Sequence, residues 1–266
     1  MKRIIYISTN EQPYSLELLP KLKHALESYG FVVPDDFDAR AELIICIGGD
    51  GSFLNTLHKY NFPKIPLVGI NTGHLGFFQE IHPNEIEEFI HAYLRGDFFI
   101  QKARPIQAVV HTSENTSSIL GLNEIVIKSG MSRTVHLNIS VNGNFIEKFS
   151  GDGLIVSTPS GSTAYNYSAG GSIVDPSLNL IQVTPLAPIN TTAYRSFTSS
   201  IVLPEASVIE IISEDTFENS LLLVSDGIEF KRTEINKISV TTSDMTVRFL
   251  RLRNYEFWSK VKEKFL

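Results

Sequence analysis

Leu43-Ile44-Ile45-Cys46-Ile47-Gly48-Gly49-Asp50-Gly51 is the stretch on which the reading of this chain turns. Five apolar residues in a row suit a strand buried on both faces, as strands of parallel sheets are. The glycine turn leads into a helix-like segment over 52–60. A strand that ends in a glycine turn and enters a helix presents backbone N–H groups at the positive end of the helix dipole, where a phosphate can sit. The acid in the turn does not bind phosphate, because like charges repel. It suits a sugar hydroxyl, whose proton it can take, or a metal. The turn therefore suggests phosphoryl transfer to or from a hydroxyl, although a purely structural Asp-Gly turn has the same letters.

On either side of this stretch, strand and helix patterns alternate. Residues 3–8 and 65–70 read as strands. The spacing of Leu16, Leu19, Leu22 and Leu26 predicts a helix over 15–29, stopped by Gly30. Ile86, Phe89, Ile90 and Tyr93 predict another over 83–94, stopped by Gly96. Such alternation implies a parallel sheet with crossover helices, whose ligands bind at the carboxyl ends of strands. Residues 48–51 and 71–76 both lie at such ends.

From about residue 101 the pattern becomes β-rich. Strands are expected near 106–111, 118–128, 134–141, 145–150, 154–158, 201–203, 208–212, 221–225, 238–242 and 246–252. Asn142-Gly143 is a hairpin turn between two of them. One helix is expected near 163–170. A tail helix over 254–266, with Phe257, Trp258, Val261 and Phe265 on one face, is expected to pack back on the body. The fold class is thus an α/β N-terminal domain with a parallel sheet, 1–100, followed by a β-rich C-terminal domain with its tail, 101–266.

Composition narrows the function. The chain has 266 residues, 42% hydrophobic and 20% charged, an ordinary globular balance. A net charge of −6 gives no electrostatic footprint for nucleic acid or an anionic membrane, so neither is an expected partner. No apolar stretch has the length of a membrane-spanning helix, and the apolar run after Lys2-Arg3 is too short for a signal sequence. A cytoplasmic protein is expected, in which the Asn-x-Ser/Thr triplets at Asn115, Asn138, Asn166 and Asn190 have no glycosylation meaning. Cys46 is the only cysteine and sits inside a strand, as a small core residue would. The seven histidines are scattered, which disfavours a transition-metal site.

Three further segments place polar groups where a core would not want them. Asn123-Glu124 interrupts an apolar run, and the pair could accept hydrogen bonds from ribose hydroxyls or an adenine amine. Gly151-Asp152-Gly153 repeats the glycine–acid–glycine theme. Thr158-Pro159-Ser160-Gly161-Ser162-Thr163-Ala164-Tyr165 crowds hydroxyls before a helix. Ser162 or Thr163 would serve as N-cap, but capping needs one hydroxyl, so the surplus favours a polar cradle for a nucleotide. Neither a Walker lysine motif nor a Gly-x-Gly-x-x-Gly fingerprint is present, which argues against a P-loop kinase and a Rossmann dehydrogenase.

These motifs, with Asn71-x-Gly73-x-Leu75-Gly76-Phe77, occur in an order and spacing that resemble the bacterial NAD kinases. The resemblance runs from about residue 43 to Phe257-Trp258. It implies a kinase that phosphorylates the 2′-hydroxyl of the adenosine ribose of NAD, giving NADP, with Asp50 as the general base. By resemblance Gly48 and Gly49 approach phosphate, and Gly51 meets the dinucleotide through its backbone. Phe77 lines the NAD pocket, and Asn123 and Glu124 hold the dinucleotide. Asp152 lies toward the nicotinamide. Ser160, Thr163, Ala164, Tyr165 and Ser168 surround the adenine and the nicotinamide half. Ala187 falls at a pocket position, and Asp226 near the phosphate donor. Mg2+, which needs few protein ligands, would neutralise the donor. The donor is ATP or polyphosphate, and relatives form homodimers or homotetramers. Departures from the family pattern are Ser52 for Thr, Ser150 for Arg before Gly-Asp-Gly, and Ile228 for a polar residue. Two alternatives stand beside this reading. One is a lipid or sugar kinase sharing Gly-Gly-Asp-Gly, the other a non-catalytic NAD or NADP sensor.

Overall fold

The computed structural model of the protein describes residues 3–131, 133–192, 195–214, 221–231 and 234–265. Met1, Lys2 and Leu266, which the expected domain and tail-helix bounds include, lie outside them. The chain divides into two compact units, 1–103 with 246–266, and 104–245.

The first unit begins β1 (Ile5–Thr9), α1 (Pro13–Ser28), β2 (Leu43–Gly48), α2 (Asp50–Lys59), β3 (Leu67–Asn71), β4 (Gln79–Ile81), α3 (Ile86–Arg95) and β5 (Phe98–Ala103). β1, β2 and β3 pair in parallel, and β4 also pairs β3 in parallel. Every residue of β2 is buried, as the unbroken apolar run predicts. α1 and α3 lay Leu18, Leu22, Leu26, Ile86, Phe89, Ile90 and Tyr93 into the same core as β1 and β2.

The second unit contains β6 (Ile106–Thr112), β7 (Thr116–Gly121), β8 (Glu124–Ser129), β9 (Val135–Val141), β10 (Asn144–Gly151) and β11 (Gly153–Ser157). A one-turn helix, α4 (Tyr165–Ser168), precedes β12 (Leu180–Leu186), β13 (Ile201–Pro204), β14 (Ile209–Ser213), β15 (Leu221–Ser225), β16 (Ile228–Lys231) and β17 (Ile235–Thr242). They form two six-stranded antiparallel sheets, ordered β10-β9-β14-β17-β6-β7 and β13-β12-β11-β8-β15-β16. One core joins the apolar residues of both sheets. The Asn142-Gly143 hairpin is present, both residues at positive φ (52° and 77°), as its type of turn requires.

The chain closes with β18 (Val247–Leu252) and α5 (Phe257–Phe265). Here the expected boundary is corrected. β18 does not extend the β-rich unit; it lies between β3 and β5 in the first sheet, parallel to one and antiparallel to the other. Its apolar pattern marks a strand but not a partner, and the open edges of β3 and β5 supply one. The second unit therefore ends near residue 245 instead of 266, and α5 belongs to the first unit.

The expected strand over 118–128 is also two strands. β7 and β8 lie in different sheets, and the chain crosses from one sheet to the other at Leu122-Asn123. β12 was not among the expected strands, and Pro185 within it cannot donate to a ladder. β13 pairs β12 only from Leu180 to Val183, so Pro185 lies where that side is open.

Candidate active-site residues

Asp50 opens α2, two residues before the helix start expected from the sequence, with Gly49 as N-cap. An acid in the first turn is favoured by the helix dipole. Two backbone groups fix its carboxylate: the Phe77 N–H donates to Oδ2 at 3.0 Å and the Phe78 N–H to Oδ1 at 2.9 Å. Gly76 makes this possible, since a Cβ there would meet Asp50 Oδ1 at 2.4 Å and Gln79 Oε1 at 1.9 Å. The second glycine segment therefore serves to hold the acid of the first. An ionised carboxylate offers about four lone-pair sites. Two are used here, so a hydroxyl can still donate to it.

The glycines of the turn differ in purpose. Space over Gly49 and Gly51 is open. Gly48 is buried at φ 146°, and a Cβ on it would strike Ser52 Oγ and Asn10 Nδ2, whose own hydrogen bond is 2.8 Å. It is thus required by packing rather than by an approaching phosphate. Gly49 borders a cleft of about 440 Å³ with Asn10, Gln12, Tyr14, Thr72 and Gly73.

In the second unit, the crossing at Leu122-Asn123 loses its ladder partners, so other groups must supply them. Asp226 does so from one side. Its carboxylate accepts the N–H groups of Leu122 (2.8 Å), Asn123 (2.7 Å) and Glu124 (3.3 Å). The hydroxyl-rich segment does so from the other. Thr158 Oγ1 donates to the Leu122 carbonyl at 2.6 Å, and the Thr158 N–H to the Asn123 carbonyl at 2.9 Å. Backbone satisfied in this way leaves the side chains of Asn123 and Glu124 free. Both residues are buried, and Asn123 Oδ1 and Glu124 Oε2 have no hydrogen-bond partner. Buried acceptors without donors are costly, by about 1–3 kcal/mol each, and a ligand donor would relieve them.

Burial, with the Asp226 carboxylate as a lesser cause, pushes Glu124 up to about 8 from 4.5. Between those values the folded protein keeps a proton that the unfolded chain has released, so stability falls as pH rises through that window. Glu124→Gln is expected to flatten the fall. Relative to it, the wild type should lose on the order of 3 kcal/mol between pH 5 and 8, read from urea unfolding at several pH values. Parallel curves would mean that Glu124 is ionised throughout.

The structure corrects one expectation for the hydroxyl-rich segment. Neither Ser162 nor Thr163 caps a helix: the N-cap position of α4 is Ala164, without a side-chain bond. Ser162 is buried, accepts the Val174 N–H at 3.0 Å and donates to the Pro159 carbonyl at 2.7 Å. The hydroxyls of Thr158 and Ser162 thus bind the segment to its own protein, and the surplus does not by itself mark a cradle. Asp226 itself is engaged with the backbone at 122–124 and sits at φ 49°. Asp226→Ala should strand three N–H groups and cost about 3 kcal/mol of stability, measured by denaturant unfolding. A change below about 0.5 kcal/mol would show that water replaces the carboxylate.

The remaining expected residues are placed as follows. Phe77 is buried, its ring 5.7 Å from that of Phe257 and 5.9 Å from that of Phe265, so its outward offering is the N–H to Asp50. Asp152 is exposed between Gly151 and Gly153; a Cβ on Gly153 would meet the Ile127 carbonyl at 2.3 Å. Tyr165 and Ser168 are exposed and Thr163 is buried, while Ser160 and Ala164 are half-buried. Ala187 is exposed at φ 41°, a strained value for a residue with a Cβ. Ser150 is buried, its N–H bonded to Ser196 Oγ at 2.9 Å.

Several participants were not expected. The Phe78 N–H and Lys264 reach Asp50, the latter with Nζ 3.8 Å from Oδ2. Asn166, seen in the sequence only as a glycosylation triplet, is fully buried and its Oδ1 accepts from the Thr184 hydroxyl at 2.6 Å. Nothing in local sequence marks a backbone N–H or a partner 200 residues away. Among the described residues no cluster of three or more His, Cys, Asp or Glu could hold a metal.

Two family models match the chain, the ATP-NAD kinase N-terminal domain over residues 6–98 and the ATP-NAD kinase C-terminal domain over 122–252. A protein named NAD kinase from Finegoldia magna is 42% identical, covering 99% of this chain and 98% of its own. One from Staphylococcus aureus is 34% identical over 92% of each. Among solved structures, yeast NADH kinase complexed with NADH aligns with a TM-score of 0.87 at 21% identity, over 98% of this chain and 87% of that one. An NAD kinase from Archaeoglobus fulgidus in complex with ATP aligns at 0.77 and 24% identity, over 98% and 99%. At those identities the two structures speak for the fold.

Proposed function

The chain belongs to the NAD kinase family, and from that premise we propose that it transfers the γ-phosphoryl group of ATP, or of another donor such as polyphosphate, to the 2′-hydroxyl of the adenosine ribose of NAD. The observation that carries this reading is the Asp50 carboxylate, fixed by the Phe77 and Phe78 N–H groups at the N-terminus of α2. A secondary hydroxyl is a poor nucleophile. A carboxylate held in one orientation takes its proton as the new O–P bond forms and the bond to the ADP oxygen breaks. General-base help of this kind contributes typically about 10²–10⁴-fold.

Asn123 Oδ1 and Glu124 Oε2, buried and without donors, suit the adenine amine or the ribose hydroxyls of NAD. Exposed Tyr165 offers an aromatic face to a base. Open space over Gly49, beside the 440 Å³ cleft, suits the donor phosphates at the positive end of α2. Mg2+, which keeps several waters and needs few protein ligands, would arrive with the donor and supply neutralisation of its charge. The lipid- or sugar-kinase alternative accounts for Gly-Gly-Asp-Gly alone, whereas the family models also cover the Asn123 ledge. The sensor alternative has no use for an oriented base.

A cytoplasmic homodimer or homotetramer is part of the proposal. No described helix is long and apolar enough to cross a membrane. Phe145 and Ile146 are exposed on the edge strand β10, where a second copy could cover them. The decisive experiment is a coupled assay for NADP formation, with NAD and, in turn, ATP and polyphosphate. NADP with at least one donor is expected. Binding of NAD without turnover by either donor would return the protein to the sensor class.

A further inference from the structure

We propose that Lys264, carried by the C-terminal helix, is a positioning residue for phosphoryl transfer that balances the charge of Asp50 as the donor arrives. This rests on the kinase reading above and adds to it a residue that the sequence gives only as part of a packing helix.

The geometry is specific. Lys264 Nζ lies 3.8 Å from Asp50 Oδ2 and 5.1 Å from the centroid of the Phe77 ring. The ammonium is therefore held between the base and an aromatic face, by ion pairing and by a cation–π contact. Lys260, one turn earlier, is committed elsewhere: its ammonium donates to the Gln79 carbonyl and lies 3.7 Å from Glu80. Glu80 is in turn bound by Arg251 at 3.1 Å.

The chemistry supplies a reason. A carboxylate that must meet a hydroxyl beside a polyphosphate is surrounded by like charge. Repulsion would drive the donor away from the very group that activates the acceptor. A cation beside Oδ2 of the carboxylate reduces that repulsion while both Oδ atoms keep their backbone bonds. The effect falls on the donor and on the transfer step, not on the Asn123–Glu124 contacts to the dinucleotide.

The helix does not need Lys264 to dock. Val261 is buried, Phe257 and Phe265 pack on Phe77, and Lys260 binds Gln79 and Glu80. Replacing Lys264 can thus remove a charge without removing the helix, which separates this role from a merely structural one.

The test uses the full chain with NAD, ATP and Mg2+, after the wild type is shown to make NADP. If it makes none, the kinase reading fails and not this one in particular. In an active enzyme, Lys264→Met is expected to lower kcat/KM for ATP about tenfold, because the pair is partly exposed and screened. KM for NAD should stay within about twofold and Tm within about 2 °C, and Lys264→Arg should recover most of the loss. Lys262→Met, on the exposed part of the same helix, is the control and should resemble wild type. Unchanged ATP kinetics in Lys264→Met would overturn the proposal. So would a loss that follows Tm, or one that Arg fails to recover. If Lys264→Met does not fold, the helix depends on Lys264 and the positioning role is likewise overturned.

Discussion

Asp50→Asn is expected to lower the turnover of NAD with ATP by about 10²–10⁴-fold, with the dissociation constant for NAD changed by less than about threefold. The substitution keeps the size of the side chain and removes the base. The structure adds a second effect. The aspartate accepts two N–H groups, from Phe77 and Phe78, and an asparagine has only one acceptor oxygen. Its amide would face the other N–H, donor against donor, at a cost of about 1–3 kcal/mol. Tm should therefore fall as well. Activity must be compared well below the midpoint of unfolding, on protein shown to be folded by circular dichroism. Near-normal turnover of folded Asp50→Asn would remove Asp50 from the role of base.

Gly161→Val is expected to be the most damaging substitution in the second unit. A Cβ at Gly161 would lie 2.0 Å from the carbonyl oxygen of Asn123, 2.4 Å from its carbon and 2.7 Å from its Cα. These are backbone atoms, already held by Thr158 and Asp226, so they cannot give way cheaply. A loss of more than about 4 kcal/mol, or failure to fold, is expected, with NAD affinity lost in parallel. Gly161→Ala tests the same contact more gently and should show the same direction in both unfolding and calorimetric binding. Wild-type stability and affinity in Gly161→Ala would mean that the loop can retreat from Asn123 without consequence. The reason for this glycine is thus the approach of a neighbouring segment of the protein's own backbone. No positive φ is involved and no ligand need be present.

These two positions show what kind of information local sequence carries. The run 43–47 followed by glycines is visible because a parallel strand is buried on both faces and so loses its alternation. Asn142-Gly143 is visible because only residues tolerant of positive φ can make that turn. Periodicity likewise found α1, α3 and the tail helix to within a few residues. In each case the determining forces act between residues close in the chain.

The misjudged features depend on contacts between distant segments. Residues 118–128 read as one apolar run interrupted by Asn123-Glu124, and nothing local says that at this interruption the chain leaves one sheet and enters another. The hydroxyls of Thr158 and Ser162 are polar in sequence whether they meet a ligand or a carbonyl. Only the fold shows the carbonyl of Leu122 beside Thr158, and the N–H of Val174 beside Ser162.

The sequence by itself determined the fold class, the family resemblance and the acid of the Gly-Gly-Asp-Gly turn, because periodicity, turn chemistry and motif order are local properties. Tertiary structure alone decided that β18 completes the first sheet, and that Asp226 serves the backbone at 122–124. It also decided that Phe77, Phe78 and Lys264 converge on Asp50. Such pairings join residues up to 214 positions apart, as Asp50 and Lys264 are numbered. They form only when burial of the apolar faces has brought strands and helices together, since hydrogen bonds and ion pairs are too weak individually to assemble them.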